Sequence, residues 1–159
     1  DIDRRNLPAG DMGIARALNN LATLLLAQNK LSEAEPLLRE SLEIVRAKLP
    51  PGHLNLVNCL TNLARVQQGL GQVAAARAGW DEAIAMLRQG APAGSANLAR
   101  VLWRSGSARL ENKDAPAALV ELQEALSMAE HFLPPDHPQL AEYREAVDRC
   151  RAALEEHPK

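Results

Sequence analysis

Apolar residues recur every three or four positions along most of the chain, interrupted by short breaks rich in Pro, Gly and Asn. From Ala15 to Gln28, Leu18, Leu21, Ala22 and Leu25 have the spacing of one helical face. A polar break at Asn29-Lys30 ends that stretch, and Ser32-x-x-Glu35 then reads as a capping box. The second helix it opens would carry Ala34, Leu38, Ser41, Leu42 and Val45 on its apolar side.

This helix-break-helix pattern repeats. Leu49-Pro50-Pro51-Gly52-His53-Leu54-Asn55-Leu56 returns as Leu133-Pro134-Pro135-Asp136-His137-Pro138-Gln139-Leu140, and at half that offset stands Ala91-Pro92-Ala93-Gly94-Ser95-Ala96-Asn97-Leu98. Leu7-Pro8-Ala9-Gly10 lies one step earlier, so the period is 42 residues and the Pro/Gly segments punctuate it. The second copy reads Leu60, Leu63 and Ala64, a turn at Gly71, then Ala76, Trp80, Ala83 and Ile84; the third reads Leu102 and Gly106, a break at Asn112-Lys113-Asp114, then Ala118, Leu122, Ala125 and Leu126. Small residues at Ala22, Ala64, Gly106, Ala34, Ala76 and Ala118 would let paired helices approach closely. Ser105 and Arg109 stand where large apolar residues are expected, which predicts that the first helix of the third copy either packs less well or contacts something else.

The expected organisation is all-α: a lead-in over 1–14, helix pairs over 15–56, 57–98 and 99–140, and a terminal helix over 141–159. That last helix has one apolar stripe, Leu140, Tyr143, Val147, Cys150 and Leu154, and charge elsewhere, which suits a cap on a stack of repeats. The first residue is not Met, which suggests a fragment of a longer polypeptide or a processed product, and residues 1–14 read as the tail of a preceding unit, so the first pair is expected to be covered by upstream repeats or a partner.

The spacing Leu18-x2-Leu21-Ala22-x2-Leu25 with Ala34-x3-Leu38 resembles the tetratricopeptide repeat in softened form. The 42-residue period, the wording Leu18-Asn19-Asn20-Leu21-Ala22 and Glu33-Ala34-Glu35-Pro36-Leu37, and the P-x-H linker are similar to the long-repeat subclass typified by kinesin light chains. The resemblance covers nearly the whole chain. It implies a superhelical solenoid whose first helices line a concave, peptide-holding face.

Composition fits this reading. Of 159 residues 28 are Ala and 26 Leu, while aromatic residues make up 3%, too few for an aromatic all-β core. No apolar run reaches the roughly 20 residues of a bilayer span, so no membrane association is expected. The 18 basic and 20 acidic residues give a net charge of -2, with no basic run beyond Arg4-Arg5, which argues against nucleic acid. Cys59 and Cys150 sit within helical apolar patterns and far apart, which points to buried free thiols in a reducing, cytoplasmic compartment.

Nothing in the sequence predicts catalysis. His53 and His137 share one linker position, which suggests a structural role near a helix start; His131 and His157 lack partners at metal-ligand spacing; and the acidic pairs Glu33/Glu35 and Glu155/Glu156 lie at helix ends or on solvated faces. No phosphate loop, nucleophile elbow or zincin motif occurs, so no enzyme activity, cofactor or metal is expected.

The first-helix face supplies the binding expectation. Carried over by repeat register, it comprises Arg16, Asn19, Asn20 and Thr23; Asn58, Thr61, Asn62 and Arg65; and Arg100, Trp103, Arg104 and Ser107. Four Arg and no acid stand among these twelve, in a chain with more acids than bases. Arg pairs with carboxylates in a fork, and Asn can bond both sides of a peptide backbone. The resemblance extends to co-chaperone domains that clamp a C-terminal carboxylate, for which Asn62, Arg100 and Arg104 fall in register while Asn19 and Thr23 depart. The expected function is an interaction module or scaffold for an extended, acidic or carboxylate-ended peptide, with Trp103 either a stacking residue on that face or packed between units. The alternative is a spacer or oligomerisation element that self-associates through its uncapped N-terminal face.

Overall fold

A computed structural model describes residues 11–91 and 93–156 of the chain. The expectations for Arg4, Arg5, the Leu7-to-Gly10 segment, Pro92 and His157 lie outside these residues. Among those described, seven α-helices follow one another: α1 (Met12–Ala27), α2 (Leu31–Lys48), α3 (Leu54–Gly69), α4 (Val73–Gly90), α5 (Ala96–Glu111), α6 (Ala115–Phe132) and α7 (Pro138–Glu156). They form three pairs and a final single helix. The chain divides into two compact units, one up to Met86 and one from Leu87 onward.

The 42-residue period is visible in the hydrogen bonding of both kinds of turn. Within each pair the first helix ends on a residue with positive φ: Asn29 (57°), Gly71 (75°) and Lys113 (64°). In all three turns this residue's N–H reaches back to the carbonyl of Leu26, Gln68 or Leu110. The next N–H, from Lys30, Gln72 or Asp114, reaches Leu25, Gln67 or Arg109. This is a Schellman closure, used three times to reverse the chain.

Between pairs, the residue before each first helix caps it. Asp11 accepts from Gly13 N, His53 Nδ1 from Asn55 N (3.1 Å), Ser95 Oγ from Leu98 N (3.1 Å) and His137 Nδ1 from Gln139 N (3.2 Å). His53 and His137 therefore have the helix-start role expected of them. The Ser32 capping box is not formed: α2 starts at Leu31, its N-cap is Lys30, and no side chain caps it. The Schellman turn already directs the Lys30 carbonyl to Glu33 N and Ala34 N, which places Ser32 inside the helix.

Packing within each pair follows the small residues. Ala22, Ala34, Ala64, Ala76 and Ala118 are all fully buried, and opposite them lie buried Leu38, Trp80 and Leu122. Gly106 replaces the Ala of the first two copies because its site is tighter: a Cβ there would lie 2.8 Å from Leu122 Cγ and 3.2 Å from the Ala118 carbonyl. Of the two alternatives expected for the third copy, poorer packing is set aside accordingly. Ser105 is 2% exposed and tolerated as a small core residue, and Arg109 reaches across the pair to Glu121 (2.7 Å). Leu21 also departs from expectation, since it is 38% exposed rather than part of a buried face.

Successive second helices are tied on their polar sides. Arg46 Nη2 of α2 contacts both carboxylate oxygens of Glu82 in α4 (2.7 and 2.6 Å). One period on, Arg88 of α4 does the same with Glu124 of α6 (2.9 and 2.8 Å). These exposed pairs contribute at most about 1 kcal/mol each, so they set register more than stability.

In the C-terminal unit, α7 starts with Pro138 at its first position, where the missing N–H costs nothing. It buries Leu140, Tyr143, Ala146, Val147 and Cys150. Where α3 and α5 present Leu60, Ala64 and Leu102, Gly106 to a second helix, α7 carries Arg144 and Asp148. Arg144 is held by Glu130 (2.9 Å) and Asp148 by Arg151 (3.4 Å), which gives this end of the stack its capped character.

Both thiols are free and buried. Cys59 Sγ lies 3.4 Å from Ser41 Oγ, and Cys150 donates to the Ala115 carbonyl (3.2 Å). Burial pushes both above the usual thiol value of 9.0, with the Ser41 contact offsetting part of the rise at Cys59. A thiol of raised pKa holds its proton more tightly folded than unfolded, so its stabilisation is complete below about pH 9 and declines as pH climbs beyond that. Denaturation midpoints measured from pH 7 to 10.5 are expected to be flat to about pH 9 and then to fall. The Cys59→Ala/Cys150→Ala variant should lose the first part of that fall; a stability that rises with pH would contradict the assignment.

Candidate peptide-binding surface

In the N-terminal unit, α1 and α3 are neighbouring first helices, and their polar sides meet. Asn62 Nδ2 donates to Asn19 Oδ1 (3.2 Å), which joins two of the expected contact residues into one half-buried amide pair. Beside them is a pocket of about 90 Å³ lined by Met12, Ala15, Arg16, Asn19, Ser41, Val45, Asn55, Asn58 and Cys59. Its floor is set by Ser41, whose hydroxyl donates to the Ala15 carbonyl (2.7 Å), and by the Cys59 thiol. Arg16 and Asn58 are exposed at this pocket, and Asn20 is exposed on α1. Arg65 on α3 is half-buried.

The pocket has one cation, three amides and no acid among its lining residues. Arg16 is exposed and makes no ion pair with any described residue. Thr61, expected on this face, is 3% exposed and spends its hydroxyl on the Val57 carbonyl (2.7 Å). That position points into the core because Thr at i can satisfy itself on the carbonyl at i-4 and then pack as a small residue. Sequence reasoning missed Met12 and Asn55; Asn55 lies just past the His53 cap, and its position on the first turn of α3 was the available signal.

In the C-terminal unit, Arg100, Trp103 and Arg104 are all half-buried on α5. Arg100 Nη2 reaches Asn97 Oδ1 (3.3 Å). Trp103 stacks on Tyr143 of α7 with ring centroids 5.4 Å apart and planes within 10°. It also packs against the cluster of Ala115, Ala118, Leu122, Ala146, Val147 and Cys150. One ring face is thus committed to internal stacking. Tyr143, overlooked in the sequence as a site residue, lies within electrostatic reach of Arg100 and Arg104. Burial raises its pKa above the usual 10.0, Arg100 and Arg104 pull it down, and Glu142 adds a smaller upward push. At neutral pH the phenol is therefore neutral.

Among the described residues no group of three His, Cys, Asp or Glu could hold a metal ion, and no helix is long and apolar enough to cross a membrane. Glu35, one of the acidic pair considered in the sequence, is occupied by Arg39 (2.7 Å) and Gln72 (3.2 Å).

Antiparallel helix pairs at a fixed period, closed by one turn type and capped by a polar final helix, define a helical-repeat interaction protein. A sequence model of the tetratricopeptide repeat family matches residues 13–91, which marks that part of the chain as a tetratricopeptide-repeat region. Its fold is similar to that of a Podosopora anserina protein described as a kinesin light chain with nearly identical TPR-like repeats (TM-score 0.81, 19% identity, 98% of this chain and 74% of that one). A single-substitution variant of that structure gives a TM-score of 0.82 at 18% identity, with the same coverage. BtubC (BKLC) from P. vanneervenii gives 0.75 at 17% identity, over 96% of this chain and 65% of that one. No curated protein matches the chain. The fold is that of a protein-protein interaction module.

Proposed function

We propose that the chain is a non-enzymatic adaptor module that binds an extended acidic peptide on the polar sides of its first helices. The observation that carries this reading is the N-terminal pocket, in which Arg16 stands among Asn19, Asn55 and Asn58 with no acid among the described lining residues. A carboxylate entering there meets a fork of guanidinium donors, and the amides satisfy the peptide groups on either side of it. The Asn62–Asn19 bond holds the α1 and α3 amides in place before any ligand arrives, which lowers the ordering cost of binding. In the C-terminal unit Arg100 and Arg104, beside a neutral Tyr143, offer a second cationic group to the same class of ligand.

The experiment is a titration of labelled peptides of one length in which Asp and Glu are exchanged stepwise for Asn and Gln. Affinity should rise with acid content by at least about tenfold across the series and weaken with added salt. Equal binding of the acidic and amide series would overturn the acidic preference.

A further inference from the structure

Two helix caps one period apart share a backbone conformation and differ in chemistry. Asp11 (φ -69°, ψ 137°) and His53 (φ -64°, ψ 135°) are both extended, and the side chain of each accepts from the N–H two residues on. A carboxylate remains an acceptor from neutral to mildly acidic pH. An imidazole accepts only while Nδ1 carries a lone pair. A proton there turns the acceptor into a donor and sets a cation at the positive end of the helix dipole. Histidine is the side chain whose charge changes between pH 5 and 8, so the two caps respond differently to mild acid.

The N-terminal pocket lies between these two helix starts. Met12, Ala15, Arg16 and Asn19 line it from α1, and Asn55, Asn58 and Cys59 from α3. Asn55 is the residue whose N–H the His53 ring holds (3.1 Å), while the N–H groups of Leu56 and Val57 bond the His53 carbonyl (2.9 and 3.3 Å). Leu56 and Val57 are buried and stay packed; Leu54 and Asn55 are exposed and depend on the cap. Without it the first turn of α3 frays, and the Asn55 amide leaves the pocket.

The charges around His53 do not offset a proton on its ring. The elements packed against α3 in this unit are α2 and α1. The last turn of α2, just before the linker to His53, carries Arg46, held by Glu82, and the exposed Lys48, with the exposed Glu43 a turn further back. The start of α1 carries Asp11, bonded to Gly13 N, and the exposed Arg16. No ion pair joins His53 to a described residue.

We propose that His53 is a proton-operated latch on the N-terminal pocket. The neutral ring holds the first turn of α3, and with it Asn55, at the pocket; protonation releases both, so the acidic ligand is let go as pH falls. This rests on the peptide-binding reading of the pocket. His137 makes the same kind of cap on α7 (3.2 Å), but no residue of α7 lines this pocket, which makes it an internal control.

The test compares the complete native chain with His53→Asp, His53→Ala and His137→Asp from pH 7.5 to 5.5. In the native chain the Asn55 amide resonance should move together with the His53 ring resonances. Affinity for the most acidic peptide of the series above should fall about fivefold over the range, the usual worth of an N-cap. His53→Asp copies the cap that Asp11 already forms and should bind equally at both ends of the range. His53→Ala should also bind equally at both ends, about fivefold more weakly than the native chain at pH 7.5. His137→Asp should respond as the native chain does. An Asn55 resonance that ignores the ring's titration, or a fall in affinity that survives His53→Asp, would overturn the proposal. So would an affinity that rises on acidification, since the added charge would then act on the ligand directly. The Asn55 resonance needs no ligand, so peptides that fail to bind would contradict the proposed function while the resonance still decides the latch.

Discussion

Leu122→Ala is expected to cost about 3 kcal/mol of unfolding free energy, measured as a shift of the urea midpoint at constant slope. Leu122 is fully buried in the C-terminal unit, and its Cγ and Cδ2 fill the space left by the absent side chain of Gly106. The informative part is the coupling between the two sites. In the native chain Gly106→Ala forces a Cβ to 2.8 Å from Leu122 Cγ and 3.1 Å from Cδ2, and a fully buried Leu has nowhere to go. The overpacking penalty of about 1–3 kcal/mol should exceed the roughly 1 kcal/mol that Ala gains over Gly in a helix. In the Leu122→Ala background those two carbons are gone. Gly106→Ala should there become stabilising by about 1 kcal/mol, limited by the Ala118 carbonyl at 3.2 Å. Additive effects would mean that the α5–α6 contact is not set by this pair.

The second large effect concerns Arg109. Its side chain is 17% exposed and that of Glu121 15%, so this ion pair, unlike the Arg–Glu pairs between second helices, is largely out of water. Arg109→Leu leaves the Glu121 carboxylate with little compensation, and a loss of about 3 kcal/mol is expected. Glu121 Oε2 already lacks a partner, so the pair itself is not ideally satisfied. Adding Glu121→Leu should therefore restore stability to within about 1 kcal/mol of the native chain, because a buried pair often does no better than an apolar one. A double variant as unstable as Arg109→Leu alone would show that the charges do more than satisfy each other.

Helix order, the 42-residue period and the break positions are all legible in the sequence, because Asn29, Gly71 and Lys113 and the Pro/Gly linkers interrupt a pattern of Ala and Leu that nothing else interrupts. The caps were only half legible. His53 and His137 announced themselves as a repeated type, whereas Asp11 and Ser95 hold the same register with different side chains and are ordinary N-cap residues. Ser32 had the right type and the wrong place, since the Schellman turn fixed where α2 begins. Arg109 looked like a packing defect because its partner, twelve residues away across a turn, has no sequence signature. On the candidate surface the register correctly brought Asn19 and Asn62 together, yet it could not tell the inward Thr61 from the outward Asn58. Adjacent positions on a helix differ by about 100°, so an error of one residue in the assumed face is enough to turn a contact residue into a core residue.

The central claim is that the first-helix faces bind an acidic peptide through Arg16 and its neighbouring amides. It is tested most directly by isothermal titration of the best acidic peptide into the native chain and into Arg16→Glu, with thermal melts of both. Arg16 is exposed and makes no ion pair with any described residue, so the melts should coincide within about 2 °C, while affinity falls at least about tenfold through replacement of a favourable charge by a repulsive one. Equal affinity in two equally stable proteins would contradict the account.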